Sequence, residues 1–192
     1  MTTTTTEMSI QRLVDQLIRL SGSPRGRPVD RGVLATLRAW SRSASQYRAY
    51  GTLADLFNRA GIGADGLDDP IWTAIPTLYA WHQRHDLTIG GGFGKTLGLH
   101  AGAKRKSFDA HFRRLLACEK IEDLIGLLPR YVRRVGRPET KGTPIDFVLL
   151  YRDLRRWSQS PESARAVKVR WAGEYYAESL NDLEAKAKGD AA

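Results

Sequence analysis

The chain has 192 residues, 42% hydrophobic and 27% charged, with 30 Lys and Arg against 21 Asp and Glu for a formal net charge of +9. That length holds one sizeable core or two small helical lobes, and the apolar content is that of a folded protein rather than a disordered one. The charge points to polyanionic partners; the lone Cys118 excludes an intramolecular disulfide or thiolate metal cluster and suits a reducing, cytoplasmic setting; and no apolar run reaches the roughly 18 residues of a membrane helix.

In chain order, the run Thr2–Thr6 lacks the basic-then-apolar layout of a signal peptide and reads as part of a loose tail over residues 1–8. Ile10, Leu13, Val14, Leu17 and Ile18 recur at helical spacing and predict a first helix. A Gly/Pro/Arg-rich break, Ser21–Pro28, separates it from a second stripe of Val33, Leu34, Leu37 and Trp40, with Arg31, Arg38 and Arg42 off the apolar side. Leu53, Leu56, Phe57 and Ala60 predict a third helix closed by Gly61 and Gly63. Asp69-Pro70 combines an N-cap acceptor with a proline suited to the first helical position, starting a helix expected to reach His85.

Residues 86–106 are rich in glycine, end in Lys104-Arg105-Lys106, and read as the one long loop, where any boundary between lobes would fall. Helices follow over Ser107–Ala117 and Ile121–Val135, the latter interrupted by Pro129. Thr143-Pro144 and Ser160-Pro161 repeat the capping punctuation, predicting helices from Ile145 to Trp157 and from Pro161 to about Leu180, ahead of a polar tail over 184–192. With no segment alternating like a strand, the expected fold is all-α: a multi-helix bundle over residues 9–183.

Gly90-Gly91-Gly92-Phe93-Gly94-Lys95-Thr96 looks like an ATPase phosphate loop, but the position six before the lysine is Ile89, where that motif needs glycine. A glycine loop presenting Lys95 to a nucleic-acid phosphate and a plain surface loop both remain open. His82 and His85, one helical turn apart, are solvated or packing histidines, because the zinc-protease signature needs a spacing of four, a Glu beside the first histidine and a third ligand. His100 and His111 lack a Ser, Cys or Asp arrangement around them. No cofactor, metal or catalytic residue is expected.

Arg152, Arg155 and Arg156 share one helix surface by their i, i+3, i+4 spacing, and Arg113-Arg114 and Arg133-Arg134 flank apolar stripes. Any single arginine is as readily a solvated residue, with Asp109, Glu119 or Asp153 available as ion-pair partners. A surplus of +9 must nevertheless lie on the surface, which favours function for the set. Most aromatics sit within apolar stripes, leaving Tyr47, Tyr50 and Tyr131 as base-stacking candidates. Backbone electrostatics would then carry binding, with little sequence preference and strong salt sensitivity. A helix-turn-helix transcriptional regulator is the alternative that such basic helices allow.

Three stretches in this order resemble the CasB family, the small subunit of the type I-E CRISPR surveillance complex Cascade. They are Asp30–Arg38, Phe112–Ala117 and Asp146–Trp157, the last followed by Val169–Ala172 and Tyr175-Tyr176. The resemblance covers about the whole chain. It implies an all-helical, non-catalytic protein present as two copies, contacting guide RNA, the target and non-target DNA strands, and the backbone and large subunits. Carried over by position, nucleic-acid contact falls to Arg31, Arg38, Lys95, Arg113, Arg114, Arg152, Arg155 and Arg156. Lys104, Arg105 and Lys106 join them on charge alone.

Overall fold

In the computed structural model, described over residues 2–22, 28–40, 47–102, 105–136 and 142–189, the apolar stripes become nine α-helices. These are α1 (Thr2–Leu20), α2 (Arg31–Ala39), α3 (Tyr50–Ala60), α4 (Pro70–His82), α5 (Phe93–Ala101), α6 (Arg105–Leu116), α7 (Ile121–Val135), α8 (Phe147–Trp157) and α9 (Pro161–Gly189). No strand occurs among the described residues; one isolated parallel bridge pairs His85 with Ile145. A single hydrophobic cluster takes residues from every helix, including Leu13, Leu37, Phe57, Ile75, Leu97, Phe112, Leu128, Leu154 and Trp171.

At the centre lies α4, apolar around its circumference and buried on nearly every side, as a helix without a polar face must be. It packs on α1, α2, α7 and α8, while α9 lies along α5 and α8. The long α9 buries one stripe, Ala164, Val167, Trp171 and Tyr175, at helical spacing. Caps follow the expected chemistry at several starts. Asp30 accepts from Val33 N, Asp69 from Ile71 N and Trp72 N, and the Ser160 hydroxyl from Ser163 N.

Elsewhere the boundaries differ from the sequence reading. Helix α1 already includes Thr2–Thr6, and α9 extends through Glu184 to Gly189. Pro129 sits inside an unbroken α7. Only the amide of that one position is missing, and the Pro129 carbonyl takes a bond from Arg133 Nε. Helix α4 stops at His82, because Gln83 turns left-handed with φ 59° and its amide bonds back to Tyr79 O. His82 and His85 therefore do not share a helix face. Residues 84–86 instead run beside 143–146: Ile145 N donates to Arg84 O, Asp86 N to Ile145 O, and Phe147 N to His85 Nδ1. This pairing keeps Thr143-Pro144 extended, so α8 starts later than expected and is capped by Asp146, which accepts from Leu149 N.

The largest correction concerns the expected loop at 86–106, which contains a short turn at Leu87–Ile89 and then α5. Glu174 of α9 supplies the missing cap: its carboxylate accepts from Gly92 N at 2.9 Å and Lys95 N at 3.3 Å. A carboxylate thus occupies the place a phosphate would take in the lookalike motif. Gly94 has a packing role, since a Cβ there would stand 2.2 Å from Trp171 O and prevent the close crossing of α5 and α9.

Candidate nucleic-acid interface

The basic residues fall into two regions with different electrostatics. On α8, Arg152, Arg155 and Arg156 line an open groove of about 590 Å³ together with Arg170, Glu7, Trp72 and Asp153. The groove brings together the predicted trio and adds Arg170, which lies in the Val169–Ala172 stretch but is not among the expected contacts. Carboxylates answer most of its charge. Arg152 makes a two-pronged pair with Glu7, and Arg155 pairs with Asp69 at 2.5 Å while donating from Nε to Tyr151 Oη. Arg170 pairs with buried Asp153, whose other oxygen accepts from Trp171 Nε1 at 2.7 Å. Burial pushes the Asp153 carboxyl up, and the bonds from Trp171 and Arg170 pull it back. Only Arg156 in this trio is exposed and outside any described ion pair.

Asp153 therefore serves Arg170 and Trp171 rather than its neighbours on α8, and Asp109 accepts from Tyr175 Oη. The arginine positions expected to be solvated are in part structural. Arg155 also lies over the Trp72 ring, 5.6 Å from its centroid.

The second region spans α2, α4, α6 and α7. Arg113 and Arg114 project from the end of α6 and are exposed. Arg134 lies 5.1 Å from the Phe108 centroid and Arg133 lies 4.7 Å from that of Trp81. Arg38 approaches the same indole at 5.6 Å and donates from Nε to Ala80 O. Tyr131, offered above as a stacking platform, is buried and donates its hydroxyl to His111 O at 2.6 Å, so it cannot take a base. Burial raises its phenol, while Arg114, Arg130 and Arg134 act in the opposite direction. Tyr47 and Tyr50 remain exposed, the latter edge-on to Trp40.

Arg31 is exposed at the first turn of α2, far from neither motif nor cap, with Asp30 beside it. Lys95 is half-buried on α5 and folds back over Gly90 and Gly91, where its Cδ would stand 2.7 Å from an added Cβ at Gly91. Arg105 and Lys106 open α6, whereas Lys104 and Arg42 lie outside the described residues. Sequence reasoning missed Arg130, whose only signal is its position one turn before Arg133-Arg134 on α7.

His82 and His85 are structural, each bonded to the 143–147 backbone. His82 is buried, and its Nε2 bonds to Thr143 O at 2.7 Å, which places the proton on Nε2. Its Nδ1 has no partner, and burial lowers the imidazole to about 4. Among the described residues, no group of three or more metal-ligating side chains converges, and no helix is long and apolar enough to cross a membrane.

No curated protein and no solved structure matches the chain. The family model described as CRISPR-associated protein Cse2 matches residues 33–176, from the start of the α2 stripe to Tyr176 of α9, so all three motif stretches lie within or overlap it. That assignment does not favour the helix-turn-helix alternative. An all-helical body, the ordered motifs and this match over most of the sequence place the chain in the Cse2 family, the CasB small subunit of type I-E Cascade.

Proposed function

We propose that this Cascade subunit grips the sugar-phosphate backbone of guide RNA and of target or displaced single-stranded DNA, without reading bases and without catalysis. The observation that carries this reading is the distribution of the +9 surplus: Arg31 on α2, Arg113 and Arg114 on α6 and Arg156 on α8 are all exposed on one helical body. Arginine forks hold phosphate oxygens without base preference. Guide pairing supplies sequence recognition in RNA-guided systems, and protein contacts to the backbone tip a nearly balanced strand exchange. A second copy in the same complex would extend the basic surface along the strands.

Fluorescence anisotropy on labelled single-stranded DNA, RNA and duplex, each in two unrelated sequences across a salt series, tests this. The expected result is similar affinity for unrelated strands and a steep loss with salt. Tight binding to one duplex alone would contradict it.

A further inference from the structure

We propose that the principal phosphate-binding track lies on α7 and the end of α6, formed by Arg130, Arg133 and Arg134 with Arg114, rather than on the motif arginines of α8. This inference rests on the nucleic-acid reading above and specifies where that reading acts. The warrant is the contrast in neutralisation. On α8, Arg152 and Arg155 each hold a carboxylate, Glu7 and Asp69, and the neighbouring Arg170 holds Asp153. Among the described residues, none of Arg114, Arg130, Arg133 or Arg134 is in an ion pair.

Arg114, Arg130 and Arg134 all act on the buried Tyr131 hydroxyl against its burial and Cys118, so the three cations lie around one point of the surface. Cations clustered on the surface repel one another, and a polyanion relieves that repulsion. The ends of α6 and α7 favour positive charge, which lowers the cost of assembling the group but does not neutralise it. Two of the four side chains are also held in place. Arg133 lies on Trp81 with its Nε bonded to Pro129 O, and Arg134 lies on Phe108. Guanidinium groups already ordered on aromatic rings lose less freedom when a phosphate arrives. Arg38, on the same indole as Arg133, continues the track towards α2.

Two matched triples separate the sites: Arg130→Gln, Arg133→Gln, Arg134→Gln against Arg152→Gln, Arg155→Gln, Arg156→Gln, read by anisotropy on unrelated single-stranded DNA and RNA from low to high salt. The α7 triple should lower the log–log salt slope by about 2, at roughly 0.7 per phosphate contact on single strands, with at least tenfold weaker binding at low salt. The α8 triple should lose less than half as much. Equal losses, or a larger loss from α8, would overturn the inference while leaving the backbone-gripping reading intact. Failure of the unaltered chain to bind any strand would overturn both. Should the α7 glutamine triple lose its cooperative melt, the single Arg130→Gln at an exposed position decides instead, by losing or keeping about 0.7 of slope.

Discussion

His82 shows how one buried group couples stability to pH. Its Nε2–H is committed to Thr143 O and its Nδ1 faces no partner, so a second proton would be buried without an acceptor. With the folded value lowered to about 4 from an ordinary 6.5, the unfolded chain binds this proton first as pH falls. The contribution is therefore complete above 6.5 and is lost progressively as pH drops towards 4, by about 3 kcal/mol in all. Urea denaturation between pH 7 and pH 4 should show this loss, with a clearly shallower decline in His82→Asn. Equal slopes in the two proteins would exclude His82 as the cause. Asp153 makes a second residue-scale prediction. Asp153→Ala leaves Trp171 Nε1 without its acceptor and Arg170 with only the longer contact to Glu174, and should cost about 3 kcal/mol, whereas Asp153→Asn keeps an acceptor for the indole and should cost clearly less in the same assay.

At the scale of elements, identical substitutions should have opposite signs according to what the helix faces. Gly94→Ala drives a methyl into the Trp171 backbone at the α5–α9 crossing and should destabilise by about 3 kcal/mol. Gly126→Ala lies on the exposed side of α7 with nothing within 4 Å of the new methyl, so it should stabilise by about 1 kcal/mol through helix propensity. Chemical denaturation midpoints at constant pH measure both, and a stabilised Gly94→Ala would refute the crossing described here. The element that resembled a nucleotide loop is thus a packing device, closed by Glu174 where an anion would otherwise sit.

For the whole molecule, the relevant quantity is the net surplus and where it remains unanswered. If about six phosphates are held, a single strand should give a log–log slope near −4, so a fourfold rise in salt weakens binding by roughly 300-fold. Two unrelated strands should agree within about threefold at every salt concentration, because contacts to the backbone carry no base information. Anisotropy titrations check both numbers, and a slope near zero would exclude phosphate contacts as the source of affinity. Ion pairs such as Arg152–Glu7, exposed on both sides, add little stability in water, yet Glu7 stays beside Arg152 and offsets the charge a phosphate would meet. Pairs seated against the core, such as Arg170–Asp153, hold α9 to α8 instead.

Much was legible locally. Period-3.6 stripes such as Leu53–Ala60, the Asp69-Pro70 start and the absence of alternation determined an all-helical body, because capping and amphipathicity act within a few residues of the chain. The ordered motifs were likewise enough to point to the small-subunit family that the match over residues 33–176 shows. Tertiary structure alone decided the rest. Glu174 reaches α5 from 82 residues away in sequence, Gly94 matters only because Trp171 lies against it, and Tyr131 was withdrawn from the surface by its bond to His111 O. Which arginines are answered depends on Glu7, Asp69 and Asp153 arriving from other parts of the chain. Charge count is a property of composition, but neutralisation is a property of distance, and only the folded chain sets distances between residues remote in sequence.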